Sequence, residues 1–100
     1  MSDTIELVRF RLSEGKTAPD WLKANEKINA WITQQPGFRF RSLSETDDGE
    51  WFDMVYWESL ESAKAAGEKF GPELGATCEQ LIDMTSVVVS HSKAHVMQRA

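Results

Sequence analysis

The stretch Glu50–Glu58, EWFDMVYWE, constrains this chain more than any other. In a strand, successive side chains point to opposite faces. One face would carry Trp51, Asp53, Val55 and Trp57, the other Phe52, Met54 and Tyr56. A sheet with one wet face alternates apolar with polar residues, and this segment does not. Burying a large apolar side chain contributes about 1.5–3 kcal/mol, so both faces need cover. Helices can supply one. A second copy of the same sheet, packed about a two-fold axis, is the most economical cover for the other. The segment therefore predicts a homodimer through sheet faces.

The rest of the chain supplies the helices and the other strands. Thr4–Leu12 alternates, with Ile5, Leu7, Arg9 and Arg11 on one face and Glu6, Val8 and Phe10 on the other. Thr17 is placed to cap a helix running to Gln35, with Pro19 in its first turn and Trp21, Ala24, Ile28, Trp31 and Ile32 at helical spacing. Gln35-Pro36-Gly37 ends it. Phe38–Thr46 reads as a second strand, and Asp47-Asp48-Gly49 as a hairpin turn into the third. Ser59 caps a second helix carrying Leu60, Ala63, Ala66 and Phe70. Gly71-Pro72 is expected to break it, with a shorter helix following that holds Leu74, Cys78, Leu81 and Ile82. Met84–Ser92 is a fourth strand, and the tail from Lys93 to Ala100 has too little pattern to place.

The order β-α-β-β-α-β, with right-handed crossovers, gives a ferredoxin-like α+β fold. Its four-stranded antiparallel sheet carries both helices on one face. The expectation is one domain over residues 1–100, with its core in about 4–92. Net charge is −5, from 16 acidic and 11 basic residues, which argues against a nucleic-acid partner. The single cysteine, Cys78, excludes an intrachain disulfide and a thiolate metal cluster. The N-terminal stretch lacks the apolar core of a secretory signal, and no apolar run approaches membrane-spanning length. A soluble cytoplasmic protein is expected.

The local residues resemble the antibiotic biosynthesis monooxygenase-like branch of the dimeric α/β-barrel superfamily. The carrying residues are Gln35-Pro36-Gly37-Phe38, Asp48-Gly49, and Val55-Tyr56-Trp57-Glu58-Ser59 followed by Glu61, Ala63 and Ala66. The resemblance covers roughly Ile5 to His91. It implies a dimer with a ligand pocket between sheet and helices in each subunit. It also implies one of two activities: cofactor-free oxygenation of electron-rich aromatic polyketides, or haem degradation. The haem-degrading members resemble one another in an asparagine on the first strand and a tryptophan and histidine on the second helical segment. Here the first strand has no Asn, the second helix contains no Trp, and no His lies between Glu58 and Ser90. The oxygenase reading is the one retained, with no cofactor and no metal. A non-catalytic ligand-binding or structural dimer of the same fold is its alternative.

Several residues carry two readings each. Trp21, Trp31 and Trp57 could line the implied pocket and stack on an aromatic substrate, or could simply fill the core. His91 could be a general base, since its ordinary pKa is near neutral, or a hydrogen-bonded residue at a strand end. Tyr56 could donate to a substrate oxygen or across a dimer interface. Asn25 could hold a ligand oxygen, although an amide at the edge of a helix stripe is ordinarily solvated. Arg9 and Arg11 share a strand face, as Arg39 and Arg41 do by strand spacing, and these arginines could line a site for an anionic ligand. Alternatively these arginines pair with Glu6, Glu45, Glu50 or Asp53. His91 and His95 lack a carboxylate neighbour in sequence and make a poor metal site. Cys78 reads as an inert core thiol.

Overall fold

The computed structural model describes residues 3–100. Its elements are β1 (Thr4–Leu12), α1 (Ala18–Ile32), β2 (Phe38–Glu45), β3 (Glu50–Trp57), α2 (Leu60–Glu79) and β4 (Ile82–Lys93). The strands form one four-stranded sheet in the order β2-β3-β1-β4, antiparallel throughout. This is the expected ferredoxin-like arrangement.

Local chemistry sets the helix starts. Thr17 accepts from the Asp20 amide while the Asp20 carboxylate accepts from the Thr17 amide, a reciprocal cap on α1. Those hydrogen bonds from Thr17 hold the Asp20 carboxyl below its ordinary range. Ser59 caps α2 by accepting from the Ser62 amide at 3.1 Å. Between α1 and β2, Gly37 takes a φ of +83° and its carbonyl accepts from the Glu58 amide at 2.7 Å. A β-carbon there would overlap the Ser62 side chain, so the turn needs glycine for space as well as for conformation.

Both helices pack on one sheet face. Phe10, Trp21, Ile28, Trp51, Leu74, Cys78 and Ile82 form one buried cluster, and Ile32, Val55, Trp57, Ala63 and Ala66 form the other. Ile5, Leu7, Phe40, Phe52, Met54, Tyr56 and Val88 lie on the opposite face, where Phe40 is 55% exposed and Val88 58% exposed. The third strand thus presents its two apolar faces as the alternation requires.

Four sequence expectations are corrected. First, α2 is not broken at Gly71-Pro72; it runs unbroken with Pro72 inside. A proline in a helix interior costs about 3 kcal/mol. Leu74 and Cys78 beyond it, with Phe70 before it, continue the stripe begun by Ala63 and Ala66. Burial at about 1.5–3 kcal/mol for each large side chain exceeds the cost. Second, Ile82 belongs to β4, which opens two residues before Met84 and closes at Lys93. Third, α1 ends at Ile32 rather than Gln35, followed by turn structure. Fourth, Arg39 and Arg41 do not share a face. The register of β2 against β3 slips between Phe38 and Phe40, a bulge that leaves Arg39 unpaired in the ladder. Phe38 packs inward on Trp57, Phe40 stacks edge-on with Tyr56 on the open face, and Arg41 turns inward. A second irregularity, in β1 against β4, is closed by Ser86, whose hydroxyl accepts from the Arg11 amide and donates to the Asp83 carbonyl. Residues 94–100 have no regular structure, though the Ala94 amide donates to the Asp3 carbonyl at 2.9 Å.

Candidate functional site

The space between the sheet and the two helices is not completely filled. A cavity of about 270 Å³ lies there, walled by Phe10, Trp21, Trp31, Trp57 and Phe70 and by aliphatic groups that include Val8, Ile28, Val55, Val87 and Val89. It exists because the sheet side supplies Val8, Val55 and Val87 opposite the small Ala66 and Gly67 of α2. Among the described residues, the acidic groups on its wall are Glu6, Asp53 and the thiol of Cys78.

The two carboxylates come from neighbouring strands on the same face: Glu6 opposes Val55, and Asp53 opposes Val8. Their surroundings differ. Asp53 is held by Arg41, with Nε to Oδ1 at 3.0 Å and Nη2 to Oδ2 at 2.8 Å. The Arg41 side chain is only 6% exposed. Its Nη2 also donates to Asn25 Oδ1 at 2.6 Å, and Asn25 Nδ2 donates to the Trp21 carbonyl at 3.0 Å. This bidentate pair neutralises Asp53 and ties α1 to β2 and β3. Glu6 has no such cation. Its Oε1 accepts from Trp57 Nε1 at 3.3 Å, and its Oε2 lies 2.9 Å from His91 Nε2. Cys78 is inert: burial, then the nearby Asp53 charge, pushes its thiol up to about 11.

Trp21 is 2% exposed, and its Nε1 has no hydrogen-bond partner among the described residues. A buried donor without an acceptor costs about 1–3 kcal/mol. The Trp31 indole is satisfied, donating to Glu73 at 3.0 Å.

The structure brings some of the sequence candidates together and separates others. Trp21, Trp31 and Trp57 all line the cavity. Asn25 is not solvated as expected but 6% exposed, because Arg41 and the Trp21 carbonyl use both ends of its amide. His91 touches Glu6 from the neighbouring strand, yet lines a shallow surface groove with Thr4, Ser59, Lys93 and other residues. Tyr56 and Arg9 lie on the opposite sheet face and do not reach the cavity. Arg9 pairs with Glu50 at 3.1 Å and sits over the Phe52 ring, 5.5 Å from its centre. Arg11 pairs with Asp48, Arg39 with Asp3 and Arg41 with Asp53. All four arginines are therefore paired with carboxylates. Among the described residues, no group of three or more His, Cys, Asp or Glu is arranged to hold a metal ion. Among the described residues, no helix is long and apolar enough to cross a membrane.

Glu6 is the residue that sequence reasoning missed. In the sequence it reads only as a possible partner for the strand arginines, which pair with other carboxylates. Only the register that sets Glu6 beside His91 and within reach of Trp57 shows otherwise.

No family model matches the sequence, and no curated protein matches it. Solved structures do match in fold. The cofactor-independent oxygenase SnoaB of Streptomyces nogalater superposes with a TM-score of 0.69 at 15% identity, over 99% of this chain and 97% of that one. The monooxygenase ActVA-Orf6 of Streptomyces coelicolor, in complex with nanaomycin D, gives 0.72 at 16% identity, over 99% and 93%. The haem-degrading protein Rv3592 of Mycobacterium tuberculosis gives 0.72 at 15% identity, over 99% and 98%. The fold is thus the one shared by antibiotic biosynthesis monooxygenase-type proteins.

Proposed function

We propose, from this shared fold and the cavity within it, that the chain is a small-molecule oxygenase of the cofactor-independent kind. Its substrates would be aromatic or polyketide-like. The observation that carries the reading is a cavity walled by five aromatic rings, Phe10, Trp21, Trp31, Trp57 and Phe70, with carboxylates at its sheet side. Aromatic walls favour a flat aromatic ligand by offset and edge-on contacts.

The chemistry asked of the protein is modest. A carbon acid flanked by aromatic rings loses a proton inside an apolar site. The carbanion passes an electron to dioxygen, the radical pair combines to a peroxide anion, a proton from water makes the hydroperoxide, and loss of water leaves a carbonyl. The substrate methylene is oxidised and dioxygen is reduced, so the balance needs no flavin or metal. Of the polar candidates, His91 approaches the cavity through Glu6, and Asn25 through Arg41. Asn25 and Arg41 would fix the wall, and Tyr56 would serve the open face.

That open face supports a homodimer. Ile5, Leu7, Phe52, Met54 and Tyr56 would pack against a second copy. The lone, buried Cys78 suits a reducing cytoplasm.

The test is oxygen uptake with anthrone- and quinol-type substrates. The expected result is uptake matched by carbonyl product, and a slower rate in His91→Ala. No uptake above buffer, with tight binding of the same compounds, overturns the oxygenase reading in favour of a non-catalytic binding protein.

A further inference from the structure

We infer that Glu6 is the base that takes the substrate proton, and that His91 is the relay that passes it to water. The inference deepens the oxygenase reading and rests on it for the substrate class.

Among the described residues, three acidic groups line the cavity. Cys78 keeps its proton far above neutrality because burial disfavours the thiolate. Asp53 is tied by two charge-assisted hydrogen bonds to a buried guanidinium, so taking a proton would leave Arg41 buried without its counter-charge. Glu6 remains. Its contacts, the Trp57 indole and the His91 imidazole, leave lone pairs on both oxygens. The indole N–H also fixes where the carboxylate points.

His91 completes the path. Its Nε2 lies against Glu6 Oε2, while its ring belongs to the surface groove rather than the cavity. Its side chain is 32% exposed against 20% for Glu6, so the two span from the wall outward. The charged groups facing that groove are Glu58 and Glu61 from the β3–α2 junction and Lys93 from β4. The step balances without a co-reactant. The substrate C–H bond breaks, its electron pair stays on the ring-conjugated carbon, and the proton joins Glu6. From there it passes to His91 while Nε2 is the bare ring nitrogen and Nδ1 carries the hydrogen: Nε2 takes the proton, Nδ1 releases its own to water, and exchange of a proton from Nε2 to Nδ1 through water restores the starting tautomer. Glu6 is thus a catalytic residue and His91 a positioning and relay residue.

The test isolates proton transfer from oxygen chemistry. Anthrone is held with the full-length protein in D2O without oxygen, and exchange of its methylene protons is followed by NMR above the uncatalysed rate. The parent protein is expected to exchange them, Glu6→Gln to lose about 100-fold or more, and Glu6→Asp to lose about 10-fold. His91→Ala is expected to lose about 10-fold and to recover when imidazole is added, which a merely structural role would not allow. Circular dichroism checks that each variant is folded, and Glu6→Asp serves if Glu6→Gln is not. A parent that catalyses no exchange overturns the inference. So does a folded Glu6→Gln within threefold of the parent, and a His91→Ala defect that imidazole leaves unchanged overturns the relay. Exchange without oxygen uptake overturns the oxygenase reading alone. Oxygen uptake preserved in Glu6→Gln overturns Glu6 alone.

Discussion

At the scale of single residues, the buried Arg41–Asp53 pair does most to give the cavity a fixed wall. Its ends are 6% and 18% exposed, so neither charge is free in water. Removing one partner of such a pair strands the other charge, which costs about 3 kcal/mol. Arg41→Ala is therefore expected to lower unfolding free energy by about 3 kcal/mol in urea titrations. A change below about 1 kcal/mol would show that Asp53 is solvated. Substitution by alanine should also release Asn25, which otherwise has its Oδ1 on Arg41 and its Nδ2 on the Trp21 carbonyl. The sequence suggested that Arg41 pairs with a carboxylate, because alternating arginines on one strand face acidic residues on the next. It could not show that Asn25 joins them, since a helix position next to the apolar stripe is buried or wet depending on what the sheet presents opposite.

At the scale of elements, all six were legible from alternation, helical spacing and caps, and the misreadings fall where packing overrides a local signal. Proline is the clearest. Pro72 denies α2 one hydrogen bond, and local rules end a helix there. The stripe from Ala63 to Cys78 continues through it because both halves face the same sheet. Pro72→Ala is accordingly expected to stabilise the fold by about 2 kcal/mol, the restored helix bond being partly offset by a freer unfolded chain. A higher thermal midpoint checks it, and a lower one would mean that the proline shapes α2 usefully. The cavity's polar groups were less legible. Glu6 and Asp53 gain meaning only through cross-strand register, which a one-residue slip would reverse.

At the scale of the whole molecule, the open sheet face is the feature that a solution measurement tests. It presents a band of large apolar side chains, with Phe40 and Val88 more than half exposed in the single chain. A patch of that kind marks an interaction surface. Sedimentation at micromolar concentration is expected to give twice the 11.3 kDa chain mass, and Met54→Asp, in the middle of the patch, to shift it toward one. A parent that sediments as a single chain removes the dimer. Which side chains form that face depends on the bulge at Arg39. Beyond it, Phe40 joins the patch and Arg41 turns to the helix side, behind Asp53 of the cavity wall, each the reverse of what unbroken counting from Phe38 gives. Chain length is thus as informative as residue type. When distant homologues are aligned here, a gap misplaced by one column swaps lining for surface as far as the hairpin, and apparent substitutions of Arg41 become artefacts of the pairing.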